Sequence, residues 1–393
     1  MQGLFKFQKS AFFRRKRSVN SPVGKTSGIA RSSHFNSAAV YFAFAGIFII
    51  GFLTPNLSFS TSVPNWNGHG KIDGLIRKGI DATIVQKYNL SYAIFDMLIA
   101  MNPDDPRGYF YKAAAIQSKM MDREDYSEGK GFLKNIRKTI RISMKILKNH
   151  PDDGWASFYA GSAYSYYALY LIHEKKYFKG LRLAQKGIHY LNKAVSSDST
   201  VYDAYLGIGT YEYWRSRKTQ FLKWLPLFPD KKKEGLAKIK LAMEKSKYAK
   251  GVSLNELVWI EMDRKNWRAA IRFAERGLAQ YPGSRFFQWP LAEAYYQGHF
   301  YYKAANAFAQ LLDSYLKEDL PNHYNAAICA YKVALSAFFD HDYKRSEEYC
   351  RKYLSFPNPQ ALEKRLAKKE KEIRKILSEN QKILKRKANT SVP

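Results

Sequence analysis

From about residue 73 onward, apolar positions recur every three or four residues, and the runs are interrupted at regular places by Pro, Asp, Asn and Gly. That period belongs to helices that bury a single stripe. The interruptions themselves repeat: NPDDPRGYFYKAA (102–114), HPDDGWASFYAGSAY (150–164), SDSTVYDAYLGIGTY (197–211) and YPGSRFFQWPLAEAY (281–295). Each ends one helix with a turn and opens the next on aromatics, followed in the last three by one or two small residues and a tyrosine. Pro103 to Pro151 spans 48 residues and Gly161 to Gly207 spans 46, while Trp267 to Tyr301, Ala270 to Ala304 and Leu278 to Leu312 are each offset by 34. Self-similarity at such periods predicts stacked helical hairpins, some ten to twelve helices ending near residue 355.

The 34-residue spacing resembles the tetratricopeptide repeat (TPR). Leu291, Ala292 and Tyr295 match the first helix of that repeat. Tyr301, Ala304 and Phe308 match the second, and Trp267, Ala270, Ala274, Gly277 and Pro282 match the second helix of the preceding unit. The physical content of the pattern is packing, since small residues let two helices approach while aromatics fill the space on either side. Gly161 with Tyr164 is a further match. Gly207 is followed three residues later by Thr210 instead of tyrosine, and the early spacing is longer than 34; both depart from the family pattern and leave the register there open.

Ahead of the repeats lies a different pattern. AAVYFAFAGIFIIGFLTP (38–55) is uncharged and mostly apolar, just long enough to span a bilayer and longer than a usual signal-peptide core. Residues 1–60 carry eight Lys or Arg and no acid, the first acid being Asp73. That imbalance orients the N-terminus to the cytoplasm and the rest across the membrane. An uncleaved signal anchor is the favoured outcome because the basic stretch is long; cleavage after Ser60, where Ser58 and Ser60 give a small-x-small pattern, is the other. A mitochondrial presequence is a third reading of the acid-free start.

The charge is extreme over the whole chain: 65 Lys plus Arg against 34 Asp plus Glu, a net +31 over 393 residues, with 29 tyrosines. This favours phosphates, anionic lipids or acidic partners. Two segments concentrate it. ALEKRLAKKEKEIRKILSENQKILKRK (361–387) sets Leu366, Ile373, Ile376 or Leu377, and Ile383 on one side of a helix with eleven Lys or Arg around the rest. Covering the open end of the array is its expected role, with a partner helix or an anionic surface as alternatives. WLPLFP (224–229) interrupts a hairpin between basic flanks, and its prolines forbid a regular helix. Trp224, Leu225, Leu227 and Phe228 are expected either to fold back on Trp214 and Leu236 or, with Lys231, Lys232 and Lys233, to form an interfacial loop.

Chemistry is sparse. Cys329 and Cys350 form no CxxC, which excludes a disulfide framework and a cysteine zinc site and leaves open whether the two pair. GKTS (24–27) lacks the leading glycine and strand of a phosphate loop. The eight histidines are scattered, with no i, i+4 metal pair. HDYKRSEEYC (341–350) gathers His, acids and Cys but reads as a capped, solvated first turn. No nucleophile elbow, Gly-rich loop or isolated carboxylate pair is present, so neither an enzyme nor a cofactor or metal is expected. Base-by-base RNA reading would need recurring polar residues at fixed inner-helix positions, which are lacking, so nucleic acid is not expected as a partner.

The resemblance implies a concave groove, lined by the first helix of each hairpin, that holds a peptide or protein segment. Carried over position by position, the residues facing it are Trp155, Phe158, Tyr166, Tyr211, Glu212, Trp289, Tyr296 and Gln297; about half are expected to be core instead. The reading is an all-α helical-hairpin repeat solenoid, TPR-like, preceded by one transmembrane helix. Its parts are a basic cytoplasmic tail (1–37), the anchor (38–55), a linker (56–72), the repeats (73–355) and a basic C-terminal helix and tail (356–393). The expected function is a membrane-anchored, extracytoplasmic, non-catalytic scaffold in the cell envelope with a protein or peptide partner. The alternative is a binder of anionic lipid or acidic glycan through the basic loop and tail.

Overall fold

The computed structural model describes residues 70–222, 229–319, 322–357 and 360–390. The apolar segment 38–55, Ser60, and Trp224, Leu225, Leu227 and Phe228 lie outside them. The described chain is all helical apart from turns. Seven antiparallel hairpins follow one another: α1 (Gly70–Ile84) with α2 (Tyr88–Met101), α3 (Pro106–Arg123) with α4 (Gly129–Asn149), α5 (Gly154–His173) with α6 (Tyr177–Ser197), and α7 (Tyr202–Lys218) with α8 (Lys232–Lys245). Then come α9 (Lys250–Asp263) with α10 (Trp267–Gln280), α11 (Arg285–Gln297) with α12 (Tyr301–Leu316), and α13 (His323–Phe339) with α14 (Tyr343–Ser355). A single long helix, α15 (Gln360–Thr390), closes the series.

The Pro-Asp breaks become helix starts. Asp105 caps α3 by accepting from the Arg107 N–H, with Pro106 in the first helical turn. Asp153 caps α5 by accepting from the Ala156 N–H at 2.7 Å. Asn266, Asn322 and Asp342 do the same for α10, α13 and α14. The turns inside the hairpins are made differently. Gln86, Glu124, Lys175, Lys265, His299 and His341 all adopt positive φ, from 52° at Glu124 to 65° at His299. Glycine would be the relaxed choice at such positions. Fourteen α-helices therefore lie between residues 70 and 355, against ten to twelve expected, because these turns carry no Gly or Pro signal at the left-handed position.

Glycine instead sets how closely the two helices of a hairpin approach. A Cβ on Gly161 would stand 2.8 Å from the Gly187 carbonyl oxygen, and one on Gly209 would stand 2.5 Å from that of Gly235. The residue equivalent to Gly161 is thus Gly209, not Gly207, and the offset between them is the one that separates Pro103 from Pro151. Between paired helices runs a continuous core of aromatic and small side chains, with Phe132, Tyr159, Tyr213, Phe287 and Phe308 fully buried.

α15 packs Leu366, Ile373 and Ile376 on α13 and α14, and Asn380 donates from Nδ2 to Ser346 Oγ at 2.8 Å. It covers the apolar face that a terminal hairpin leaves bare. Cys329 and Cys350 are both buried free thiols.

Because the approach at Gly209 is to backbone, which cannot swing aside, Gly209→Val is expected to cost about 2–4 kcal/mol. Gly131, on the exposed face of α4, has nothing within contact of a new methyl except the Ile116 Cδ1 at 3.9 Å. Gly131→Ala should therefore stabilise by about 0.5–1 kcal/mol. Urea denaturation of the two variants beside the parent reads both signs.

Candidate functional site

The array turns far enough that its last hairpins return onto its first. The key group is Arg285 at the start of α11, whose guanidinium lies between two carboxylates: Nε and Nη2 donate to Asp122 at 2.9 and 2.7 Å, and Nη2 donates to Glu318 at 2.6 Å. Its side chain is 8% exposed and that of Asp122 9%, and its guanidinium carbon lies over the Tyr315 ring, 4.5 Å from the centroid. Around it, Arg123 pairs with Glu318, Asn322 and Asn325 donate to the carbonyls of Arg123 and Asp122, and Arg365 of α15 pairs with Glu124 at 2.7 Å. A second set of contacts fixes α1: Tyr281 donates to Asp81, Ser284 to the Ile84 carbonyl, the Arg285 N–H to Gln86, and Lys247 pairs with Asp73.

This closure turns the concave face into a chamber of ≈ 1420 Å³, walled by the first helix of every hairpin and by the first half of α15. Its surface is mainly aromatic and aliphatic, and its charges are tied off. Lys332 on α13 pairs with Glu293 on α11 at 2.8 Å and lies 4.2 Å above the Tyr296 ring. Glu256 accepts from the Trp214 Nε1–H at 2.7 Å, and burial raises its pKa despite that bond and one from Thr210. Glu372 accepts from the Tyr331 hydroxyl. Asp203 accepts from the N–H groups of Lys247 and Tyr248 at the start of α9. Pro290 leaves the Phe286 carbonyl without its helical donor, and the Asn255 amide supplies one. Gln117 on α3 is 6% exposed and lines the chamber, and its Oε1, like the Tyr88 and Tyr111 hydroxyls on the same wall, has no hydrogen-bond partner among the described residues.

Of the groove residues expected from the sequence, Phe158, Tyr166, Trp289, Tyr296 and Gln297 line this chamber. Phe158 is also core, and Trp155 is core without lining, packed edge-on to Phe158 at 5.5 Å and to Tyr248 at 6.0 Å. Tyr211 and Glu212 face a separate, small pocket with Ile208 and Lys231, where Glu212 pairs with Lys238. On α7 the chamber residues are Leu206, Gly207, Thr210 and Trp214. Leu206, Thr210 and Trp214 follow Phe158, Ser162 and Tyr166 at the same offset that relates Gly209 to Gly161, so the corrected register rotates the face by one position. Gln117, Glu256, Glu293 and Lys332 carried no sequence signal beyond falling on the same helix face as their aromatic neighbours. In the loop, Lys232 pairs with Asp230 at 2.9 Å, the Lys231 N–H donates to Ser216, and Lys233 is exposed.

Among the described residues no cluster of His, Cys, Asp and Glu could hold a metal, and no helix is long and apolar enough to cross a membrane. Burial pushes the Cys350 thiol up to about 12 and that of Cys329 well above its usual value, so neither is poised as a nucleophile.

No family model matches the chain, and no curated protein matches it. Among solved structures it is similar to a thermophilic TPR protein of Thermus thermophilus, with 14% identity, a TM-score of 0.36, and 57% of this chain and 98% of that chain covered. It is also similar to the TPR domain of P58(IPK), with 12% identity, a TM-score of 0.26, and 81% and 99% covered. What decides the fold is the chain's own series of hairpins, with small residues at the crossings and first helices facing inward. It is a TPR-like solenoid. Its departures are long α4, α5 and α6, and closure onto its own first hairpins.

Removing one member of a buried charge set leaves the others uncompensated. Arg285→Met should therefore lower unfolding free energy by about 3–5 kcal/mol, and Arg285→Lys should recover little, because an ammonium cannot fork between two carboxylates. Equilibrium denaturation measures both. A second expectation concerns pH. Burial pushes the Asp203 carboxyl up to about 6, against the pull of the backbone N–H groups that bond to it. The folded state then holds this proton more tightly than the unfolded chain, whose carboxyl titrates at ~3.9, so the contribution is complete below about pH 4 and lost as pH rises through about 6. Relative to Asp203→Asn, the wild type should lose up to about 3 kcal/mol between about pH 4 and about pH 7.

Proposed function

We propose that the protein is a non-catalytic scaffold that holds a segment of a partner protein inside the solenoid. The observation that carries this reading is the chamber wall. The space, ≈ 1420 Å³, exceeds the roughly 300–1,000 Å³ of small-molecule sites. Successive helices line it with broad aromatic surfaces that give contact area at low entropic cost. The charges on that wall are largely matched internally, which suits an apolar segment over a charged ligand. Gln117 offers an unused acceptor to a backbone or side-chain donor of the guest. Nothing among the described wall residues resembles a nucleophile with its base, so binding without turnover is the reading we adopt.

We place the scaffold in the cell envelope, held by residues 38–55 with the basic N-terminal tail in the cytoplasm and the solenoid on the other side. The support for this is the sequence alone: an apolar run of spanning length preceded by eight positive charges.

The test separates guest binding from folding. Gln117→Leu keeps the volume, removes an unsatisfied acceptor, and so should leave stability unchanged or slightly raised. Tyr166 packs on Phe110 at 5.5 Å and makes no hydrogen bond among the described residues. With cross-linked co-purification from solubilised membranes, Gln117→Leu and Tyr166→Ala are each expected to reduce partner recovery about tenfold. Recovery equal to wild type in both would refute guest binding in the chamber.

A further inference from the structure

We infer that the outer face formed by α4 and α6 is a docking surface for an anionic phospholipid bilayer. The observation is an uninterrupted cation stripe. On α4 every exposed residue other than Gly131 is basic: Lys130, Lys134, Arg137, Arg141, Lys145 and Lys148. The intervals of four, three, four, four and three residues hold them on one side of the helix over about 27 Å. Lys138 flanks the stripe, half-exposed. The helix contains no acid, and none of its cations makes an ion pair among the described residues.

α6 continues the face. Its Tyr190 packs against the apolar cluster that Ile142 and Ile146 of α4 form with Ala156 and Ala160 of α5, so both helices flank α5. α6 too contains no acid, and Lys179, Arg182, Lys186 and Lys193 have no ion pair among the described residues. The nearest acids in sequence, Glu128, Asp152, Glu174 and Asp198, sit beyond the helix ends.

Such a face is costly in isolation. Like charges three and four residues apart each destabilise a helix by about 0.2–0.5 kcal/mol. At a spacing of about 6 Å they lie inside one another's Debye length of roughly 10 Å, so their fields add. The arrangement becomes favourable only against a surface of opposite charge. The choice of lipid over other polyanions rests on Phe178, 90% exposed in the first turn of α6 and on the same side of that helix as Arg182 and His189. A second exposed ring, Phe221 at 70%, follows α7 in the corresponding turn of the next hairpin. Apolar rings at the edge of a basic helix face gain by entering the acyl boundary while lysine and arginine stay at the headgroups. A phosphate backbone would satisfy the cations and leave the rings in water.

This face acts independently of what the chamber holds, and its test reads the helix itself. The full chain is reconstituted in vesicles of phosphatidylcholine alone or with phosphatidylglycerol, then treated with a water-soluble lysine acylating reagent and analysed by mass spectrometry. Labelling of Lys134, Lys145 and Lys148 should fall about fivefold on the anionic vesicles, and recover at about 1 M salt, where the Debye length is about 3 Å. Exposed Lys317 and Lys344, on the last two hairpins, should be unchanged. Arg137→Glu with Arg141→Glu should abolish the protection while leaving the melting temperature equal or higher; Arg137→Gln with Arg141→Gln should halve it at least. Equal labelling on the two vesicle types refutes the inference. So does protection by duplex DNA or an acidic polysaccharide at the same anion concentration without protection by vesicles.

Discussion

One guanidinium, that of Arg285, joins the start of the sixth hairpin to the end of α3 through Asp122 and to the end of α12 through Glu318, and lies over the Tyr315 ring. Without that junction a helical-hairpin array is an open spiral, and its inner face is a groove of indefinite width. With it, the first and last hairpins are held at one fixed distance, and the groove becomes a chamber of defined volume. Buried charge sets add little net stability over an apolar equivalent, since desolvation offsets much of the Coulomb gain. What they do supply is register: a planar fork between two carboxylates tolerates only one relative placement of the helices that carry them.

The same chain keeps two electrostatic regimes apart. Inside, Lys332 with Glu293, Arg365 with Glu124 and Arg285 with its two acids leave the wall close to neutral. Lys369 is the exception, half-buried against Tyr331, its pKa lowered by burial and by the neighbouring Lys332 and Arg365. Outside, α4 and α6 carry seven and four cations and no acid. The net +31 is therefore not spread evenly.

Much of the fold is legible because its devices are local in sequence. Pro-Asp dipeptides cap helices within three residues, and small residues at hairpin crossings recur at fixed offsets. The count of helices is not, since left-handed turns built from Gln86, Lys175 or His341 look like helix interior. The register at α7 is ambiguous because Gly207 and Gly209 both offer the small residue, and only the approach to Gly235 shows which one the hairpin needs. Closure is wholly illegible: Arg285 meets Asp122 across 163 positions and Arg365 meets Glu124 across 241, and no short-range pattern encodes such contacts. For the same reason the basic C-terminal helix reads as a cap but not as part of the chamber wall.

The seam that closes the chamber is more polar than the cores on either side of it. The N-terminal hairpins share one apolar cluster around Phe110, Phe132 and Tyr159, and the C-terminal hairpins another around Phe308, Tyr315 and Val333. Between the two, ion pairs and hydrogen bonds around Arg285 sit beside a small apolar cluster in which Ile84 of α1 packs with Leu254 and Phe287. Parting the seam therefore exposes the Ile84, Leu254 and Phe287 side chains as well as the charges, and the hydrophobic term also opposes it. The electrostatic part of the resistance is concentrated at Arg285 and partly screened where Arg123, Glu318 and Arg365 reach solvent.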